Sequence, residues 1–327
     1  MAILLVLIGH FYPIKAMNLG TLGVDLFFVL SGRLMADILF VQKAALPEFF
    51  IRRFSRVYPG LLFFVVLGAA LFHFTPLRAG ILAMLSALTF TINYTSIYFH
   101  HTGIFDNLWS LCVEEHSYLI LGFLAYLVRR EVKHIPFFIL AIGVGALLNG
   151  IIQSSVFGRG YFDVFWRTDV ACAPIFLAGY FFLFSRQFME KNISYIAPFF
   201  VVLAVLSKSV LFESDLFSSI GTLLLSVAIC FLDTAPVFIR RFLSFAPLRQ
   251  IGLWSYSLYL WQQPFYKLID KGYGSNFTLM LATVFSGLIS FYIIERPIRS
   301  FINGHIASRR SRITEPDFDS TLVSVEK

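Results

Sequence analysis

Ionisable side chains lie inside apolar runs at several points of this sequence. His10 is in the opening run MAILLVLIGHFYP, Asp25 follows in LGTLGVDLFFVLSGR, and Glu114 and Glu115 lie in FDNLWSLCVEEHSYL. A charge at membrane depth is costly unless it has a partner or a function. Histidine acts as a general base or a nucleophile, and carboxylates orient it or bind hydroxyl groups. This pattern predicts a catalytic site inside a helical bundle.

His10 and Asp25 lie on consecutive apolar segments joined by the short stretch KAMNLGTL, so we expect a hydrogen bond between them. An aspartate that orients a histidine fixes its tautomer and makes it a better general base. From these residues alone, a purely structural His–Asp pair is the alternative.

Glu114 and Glu115 are adjacent, and adjacent side chains on a helix point about 100° apart. We therefore expect only one of the two carboxylates to face a given cavity. Trp109 begins the same run and Tyr118 follows it, and we expect both to contact substrate. The alternative is that these groups only line a polar bundle interior.

Two arginines, Arg53 and Arg56, are three residues apart in FIRRFSRVYPG and would share one side of a helix. Guanidinium groups bind phosphates through paired hydrogen bonds, so the pair suits a phosphate-bearing ligand from the cytosol. The same pair also suits a cytoplasmic membrane anchor. The spacing alone leaves both readings open.

Two further polar groups are candidates for substrate contacts. Tyr256 and Gln262 lie in IGLWSYSLYLWQQPFY, which carries more hydrogen-bonding side chains than lipid contact would permit. Arg167 lies in the predicted outer loop GRGYFDVFWRT and Asp169 directly after it. Both either meet an acceptor or solvate the loop.

The composition indicates a helical membrane protein with several spans. Of 327 residues, 58% are hydrophobic and 14% are charged, whereas soluble chains carry roughly 25% charged residues. The long apolar runs do not alternate as barrel strands do. The three cysteines have no metal-ligand or disulfide spacing, so we expect no metal site. The net charge of +7 fits cytoplasmic loops and does not indicate nucleic-acid binding.

Apolar windows predict eleven helical segments, near residues 1–15, 21–41, 58–75, 81–97, 109–128, 136–157, 169–184, 194–212, 217–232, 250–268 and 277–296. Segment 81–97 is rich in Ser, Thr and Asn, which suits a re-entrant or interfacial piece. We therefore expect an all-α protein with about ten transmembrane helices and both termini in the cytoplasm. Residues 1–308 would form one membrane domain and residues 309–327 a polar, disordered cytoplasmic tail.

The basic clusters support this topology. Ten spans place all of them in the cytoplasm: residues 43–56, 129–134, 186–191, 240–249 and the Arg-rich tail. The loops at 158–168, 213–216 and 268–276 then face outward.

Five stretches together resemble the integral-membrane acyltransferase-3 family. They are GVDLFFVLSGRLM, IRRFSRVYP, NLWSLCVEEHSYL, SYSLYLWQQP and FYIIERPIR, in that order, and the resemblance runs from His10 to about Arg299. It implies transfer of an acyl group, often acetyl, to a hydroxyl of a cell-envelope carbohydrate or glycolipid. The implied donor is a cytosolic acyl-CoA, expected here to be acetyl-CoA, with no permanently bound cofactor.

The resemblance also assigns roles to particular residues. His10 matches the essential histidine of the first helix, Arg53 and Arg56 match the Arg-x-x-Arg pair, and Glu114 matches the acid of the WSL motif. Asp25 matches the acid of the G-V-D stretch. The remaining matches are Glu115, beside the WSL acid, and the Arg-x-Asp of Arg167 and Asp169. The resemblance favours binding of the CoA phosphates by the arginine pair.

The chain departs from the family pattern at four places. Gln262 stands where a histidine is common, His116 where a glutamine is commoner, and Arg33 where an aromatic residue is usual. The family's arginine eleven positions before the histidine would fall before Met1. We therefore expect the first helix to begin upstream of Met1, with an arginine in the extension.

These observations lead to one functional hypothesis and two alternatives. The hypothesis is a multi-pass O-acyltransferase of the inner or plasma membrane, which uses acyl-CoA and acts on a cell-surface carbohydrate or its lipid-linked precursor. His10 would act as general base or form an acyl-histidine, with Asp25 orienting it and Glu114 or Glu115 positioning the acceptor. The alternatives are a transporter or flippase of a sugar or lipid intermediate, and a non-catalytic member of the family.

Overall fold

The structure is a computed structural model that describes residues 1–99, 102–127, 134–186, 194–209 and 215–314, with side chains described for all of these except 215–218 and 306–314. Within these ranges the chain forms sixteen α-helices: α1 Ala2–Phe11, α2 Leu19–Ala36, α3 Leu46–Leu71, α4 Ile81–Leu88, α5 Ile92–Phe99, α6 Leu108–Leu127, α7 Ile135–Ile151, α8 Tyr161–Phe165, α9 Thr168–Ala171, α10 Ala173–Ser185, α11 Ile196–Ser207, α12 Asp215–Cys230, α13 Val237–Leu243, α14 Ala246–Asp270, α15 Asn276–Ile289 and α16 Arg296–Thr314.

The described part of the chain is helical and contains no β-strand, as the apolar runs predicted. Every predicted helical segment overlaps at least one of these helices. Three of them, α2, α7 and α15, continue into π-helical turns at Asp37–Val41, Ile152–Val156 and Ser290–Glu295.

Four stretches of helix in the described ranges are long and apolar enough to cross a membrane: Leu46–Leu71, Ile135–Val156, Thr168–Ser185 and Asn276–His305. Shorter apolar helices occur at Ala2–Phe11, Ile196–Ser207 and Ser219–Cys230. α6 and α14 have 20 and 25 residues and are not among the four. Both carry polar residues of the candidate site, which lower their mean hydropathy.

Segment 81–97 does not form one continuous helix. It consists of α4 and α5, eight residues each, which are interrupted at Thr89–Thr91, where Phe90 has a φ of 57°. A helix of eight residues is about 12 Å long, well short of the bilayer core. Neither helix therefore crosses a membrane alone, in keeping with the prediction, while their re-entrant placement stays a prediction.

The C-terminal boundary differs from the expected one. α16 extends to Thr314, past the predicted start of the polar tail at residue 309. Its run of Ile, Ala, Ser and Arg is compatible with a helix in spite of its charge. Residues 315–327, and the basic cluster at 129–134 apart from residue 134, lie outside the described residues.

α1 and α2 cross with their backbones in contact. A Cβ atom on Gly9 would lie 2.3 Å from the backbone nitrogen of Gly20, so only glycine fits there. The two helices are antiparallel, so the end of α1 and the start of α2 meet at one end of the bundle. We call this the histidine end, after His10. The start of α1 and the end of α2 meet at the opposite end, the arginine end.

Two of the apolar cores in the described residues pack around the candidate site. One lies where α2, α6, α7 and α10 meet, around Phe28, Val113 and Phe176. Another lies among α3, α4, α6 and α14, around Phe64 and Trp261. α6 contributes to both and α2 to the first, and both helices carry candidate site residues.

We expect Gly32→Ala to destabilise the fold. A Cβ at this position of α2 would lie 2.0 Å from the carbonyl oxygen of Ile175 on α10. Overpacking of this kind costs about 1–3 kcal/mol, so the midpoint of thermal unfolding in detergent should fall. Gly145→Ala is the matched control, because nothing lies within 4 Å of a Cβ there. Equal midpoints for both variants would contradict the close packing of α2 on α10.

Candidate active site

His10 is held by two residues of α14. Its Nδ1 lies 3.0 Å from the side-chain oxygen of Gln262, and its ring stacks on Tyr266 with 4.5 Å between centroids and 6° between planes. Because an amide oxygen only accepts, Nδ1 carries the proton in this arrangement, and Nε2 keeps a lone pair. A Cβ atom on Gly20 would lie 3.4 Å from Nε2, so the glycine keeps the space beside this nitrogen free of a side chain. The geometry suits a general base.

The predicted hydrogen bond between His10 and Asp25 is wrong. Asp25 instead accepts a hydrogen bond from Lys208 Nζ at 2.6 Å, and that ammonium also contacts Thr222. Gly20 faces His10, and a residue five positions further along α2 is rotated by about 140°. The carboxylate of Asp25 therefore points towards α11 and α12. Lys208 is the partner that the sequence reasoning missed, although a lone lysine in an apolar run also calls for a counter-charge.

His10 lines a cavity of about 850 Å³ at the histidine end, which we call the histidine cavity. Its wall combines aromatic rings with a few polar groups, as ligand sites commonly do. The rings are those of Trp109, Tyr161, Phe162, Trp166, Tyr259 and Tyr266, and the polar side chains include Asn18, Thr21, Asp106, Asn107 and Gln263. Tyr161, Phe162 and Trp166 come from the loop that was predicted to face outward.

Of the predicted substrate-binding residues, Trp109 contributes to the wall of this cavity. Its ring stacks on Trp166 with 6.0 Å between centroids and 10° between planes, and Phe28 meets it edge-on. The stack forms a broad apolar face opposite the polar groups. Asp106 is fixed at the cavity wall by hydrogen bonds from Lys267 and Thr102.

Glu114 and Glu115 lie away from the histidine cavity and bind a single arginine. Arg53 Nη2 lies 2.9 Å from Glu114 Oε2, and Arg53 Nε lies 2.9 Å from Glu115 Oε1. Only Glu114 contributes to the wall of the cavity described below, in keeping with the expectation that one of the two faces a given cavity. Both carboxylates nevertheless bind Arg53, because the planar guanidinium presents nitrogens to both. The Arg53 side chain is only 12% exposed, so this is a nearly buried ion cluster.

Tyr118 belongs to the same cluster rather than to a substrate surface. Its ring lies under the guanidinium of Arg53, 4.1 Å from Cζ, and its hydroxyl donates to Glu114 Oε2 at 3.1 Å. Ser31 on α2 donates to the other oxygen of Glu114 at 2.9 Å. The cluster therefore joins α2, α3 and α6 at one point.

A second cavity, of about 310 Å³, opens at the arginine end, and we call it the arginine cavity. Arg53, Arg56, Glu114 and Tyr256 contribute to its wall. Arg56 is exposed to it, and no carboxylate of the described residues lies within 4.0 Å of its guanidinium. Tyr256 donates its hydroxyl proton to the carbonyl of Val57 at 2.8 Å, which fixes α14 to α3.

Tyr259 contributes to the wall of both cavities, as Val24 does. Its hydroxyl lies 2.6 Å from Ser110 Oγ and 2.7 Å from the carbonyl oxygen of Asn107. Phe27 meets its ring edge-on. The sequence did not predict this position of Tyr259, because the position depends on which helices pack on either side of α14.

The remaining predicted substrate residues, Arg167 and Asp169, bind each other and line neither cavity. Arg167 Nε and Nη2 donate to the two oxygens of Asp169 at 3.0 and 2.8 Å, and Asn149 donates to Asp169 at 2.9 Å. This pair fixes the start of α9 against α7. His116 has a similar structural contact, with Nδ1 lying 2.8 Å from Thr168 Oγ1.

Comparison with known proteins agrees with this geometry. The family described as "Acyltransferase domain" matches residues 1–296. The chain is 29% identical over 328 residues to the peptidoglycan O-acetyltransferase OatA of Listeria monocytogenes, covering 87% of this chain and 52% of that protein. It is 29% identical over 323 residues to the O-acetyltransferase OatA of Staphylococcus aureus, covering 86% and 53%. It thus spans about half the length of these relatives. No solved structure matches the chain.

We expect the two arginines to differ in their effect on stability. Arg53→Gln leaves two buried carboxylates without a counter-charge, which should lower the free energy of unfolding by about 3–5 kcal/mol. Arg56→Gln removes no ion pair and should change it by less than about 1 kcal/mol. The measurement is thermal unfolding in detergent.

A triple variant checks the physical cause. Arg53→Met with Glu114→Gln and Glu115→Gln leaves no buried charge and should recover part of the loss. If Arg56→Gln destabilised the protein as much as Arg53→Gln, the assignment of the ion cluster to Arg53 would fail.

Proposed function

This chain belongs to the acyltransferase family, and we propose that it transfers an acetyl group from acetyl-CoA to a hydroxyl of peptidoglycan or of its precursor. The observation that carries the proposal is His10, which lies in the wall of a large cavity and is held through Nδ1, in a chain whose relatives are named O-acetyltransferases. A histidine held in this way is suited to take a proton from a hydroxyl group.

The donor would enter at the arginine end. CoA carries several phosphate charges, and Arg56 presents a guanidinium that no carboxylate of the described residues neutralises. Arg53 contributes less to binding than the Arg-x-x-Arg spacing suggested, because Glu114 and Glu115 already compensate its charge. The thioester end would then point into the bundle, towards Tyr259.

The acceptor would bind in the histidine cavity. Its volume of about 850 Å³ and its aromatic walls suit sugar rings, whose apolar faces pack on aromatic side chains while their hydroxyl groups bond to polar ones. The named activity of the Listeria monocytogenes relative supports peptidoglycan as the polymer class.

The transfer exchanges the C–S bond of the thioester for a C–O bond to the acceptor. His10 Nε2 accepts the proton of the acceptor hydroxyl while its oxygen attacks the carbonyl carbon of the thioester. The new C–O bond forms, the C–S bond breaks, and the CoA thiolate takes the proton from the imidazolium. In the alternative route, Nε2 attacks the thioester first, and the resulting acetyl-histidine passes the acetyl group to the hydroxyl.

Gln262 would replace an acid as the group that orients the base. Its oxygen keeps the proton on Nδ1, and the stack on Tyr266 holds the ring plane. A neutral amide adds orientation without a full negative charge beside the imidazolium. Asp25, paired with Lys208, takes no part in this step.

We further propose that the protein lies in the plasma membrane with about ten spans and both termini in the cytoplasm. Arg53, Arg56, Arg296 and Arg299 all lie at the arginine end, which is the distribution that the positive-inside rule predicts for a cytoplasmic face. The histidine cavity then opens on the other face, beside residues 161–166.

His10→Ala should abolish acetyl transfer, with a loss of at least about 100-fold, because a positioned base contributes that much or more. The assay follows the acetyl label from acetyl-CoA into peptidoglycan fragments in membranes that contain the full chain. His73→Ala is the control, since His73 is exposed and contacts Phe74. Undiminished transfer by His10→Ala would contradict the proposal, and passage of unmodified acceptor across the membrane would indicate a transporter.

Gln262→Leu should lower kcat about 10-fold and leave the KM for acetyl-CoA unchanged, because it removes one neutral hydrogen bond to the base, worth about 1.4 kcal/mol. Gln262→Glu keeps an acceptor for the Nδ1 proton and should restore most of the rate. A positioning role is excluded if both variants lose the same activity, or if the loss appears in KM alone.

A further inference from the structure

A third cavity, of about 350 Å³, adjoins the arginine cavity at the same end of the bundle. The two share Arg56, Gly252 and Tyr256 in their walls, so they are neighbouring chambers of one recess. The third cavity adds Arg296 and Arg299 from α16, and we call it the triple-arginine cavity. Its remaining walls are Leu253, Phe291, Glu295, Ser300 and Asn303.

Local structure brings the three arginines together. Arg296 and Arg299 are three residues apart on α16 and share one face of that helix, as Arg53 and Arg56 do on α3. α16 begins directly after the π-helical turn Ser290–Glu295. Turns of this kind shift the register of a helix and occur frequently at functional sites.

The charge in this cavity is not balanced by protein groups. Glu295 is the one carboxylate in its wall, and its Oε1 accepts hydrogen bonds from Ser257 at 2.6 Å and Ser290 at 3.1 Å. No carboxylate of the described residues lies within 4.0 Å of Arg56, Arg296 or Arg299. Guanidinium groups gathered in one recess repel each other, and an anionic ligand would relieve this.

The size of the recess favours a ligand larger than a simple phosphate. The triple-arginine cavity, of about 350 Å³, shares part of its wall with the arginine cavity, of about 310 Å³. Three cationic groups in such a recess therefore fit the phosphorylated nucleoside end of a long molecule better than a free phosphate.

We propose that the triple-arginine cavity binds the phosphorylated nucleoside end of the donor, with Arg299 and Arg296 at the 3′-phosphate of CoA. This rests on acetyl-CoA being the donor, and it adds a contact that the Arg-x-x-Arg pair does not supply. The pantetheine arm then runs through the neighbouring arginine cavity, past Arg56. An anionic lipid headgroup offers the same phosphate chemistry and is the rival source.

The test compares CoA with dephospho-CoA, which lacks only the 3′-phosphate. The full chain is placed in nanodiscs of phosphatidylcholine, which has no net charge, and the Kd of each ligand is measured. We expect CoA to bind about 10-fold more tightly or better, as one charge-assisted contact provides. Arg299→Gln should remove this preference by weakening CoA alone, with dephospho-CoA unchanged. Arg241→Gln, at an exposed arginine outside the recess, is the matched control.

Each outcome either supports or overturns the assignment of the triple-arginine cavity to the donor. Loss of the preference in Arg299→Gln, and again in Arg296→Gln, supports the site, and the unchanged Kd for dephospho-CoA shows that both variants are folded. A preference that persists in both variants overturns this inference and leaves acetyl-CoA as the donor. Failure of the unmodified chain to bind either ligand overturns the donor assignment as well.

A second arm addresses the lipid. Phosphatidylglycerol is added to the nanodiscs, and the amount that co-purifies with the chain in detergent is measured. If Arg299→Gln reduces retained phosphatidylglycerol and leaves the CoA preference intact, the cavity is a lipid site and the nucleoside assignment is wrong. Equal retention, together with a lost CoA preference, supports the assignment.

Discussion

The nearly buried ion cluster of Arg53 with Glu114 and Glu115 is the constraint on which the arginine end depends. Two adjacent carboxylates inside a bundle carry a large desolvation penalty and repel each other. One planar guanidinium relieves both effects, because Nε and Nη2 reach different carboxylates. α3 is thereby fixed against α6, and Ser31 adds α2. Arg56, one turn further on, keeps its charge for a ligand.

Residues of the same type in similar sequence surroundings make different contacts in the structure. Arg53 and Arg56 belong to one Arg-x-x-Arg motif and line the same cavity, but Arg53 binds two carboxylates and Arg56 has none within 4.0 Å among the described residues. Asp25 and Glu114, both acids in apolar runs, bind Lys208 and Arg53 and not the histidine. His10 is instead held by the neutral Gln262. The acids of α2 and α6 therefore do not orient its ring.

Much of the helical fold could be predicted from the sequence. The pairing of side chains across helices could not, and the reason is physical. Apolar runs determine helices locally, so all predicted segments contain helix, and the break in segment 81–97 matches its polar content. Pairing across helices depends on rotation about each axis, and five residues between Gly20 and Asp25 turn a side chain by about 140°. This is why Asp25 meets Lys208 and why the position of Tyr259 could not be anticipated. Gln262 was predicted to contact substrate and noted as a departure from the family pattern, but its contact with His10 was not predicted.

Tyr259 has a consequence for the membrane itself. Its hydroxyl bonds to Ser110 and Asn107, its ring packs against Phe27, and the side chain lies in the wall of both cavities. A bilayer that stores an ion gradient tolerates no continuous wet channel, since protons would leak through it. In the proposed reaction, the acetyl group passes from one cavity to the other beside this side chain. Each turnover would then require a displacement of the ring, and the rate of that displacement would set an upper limit on turnover.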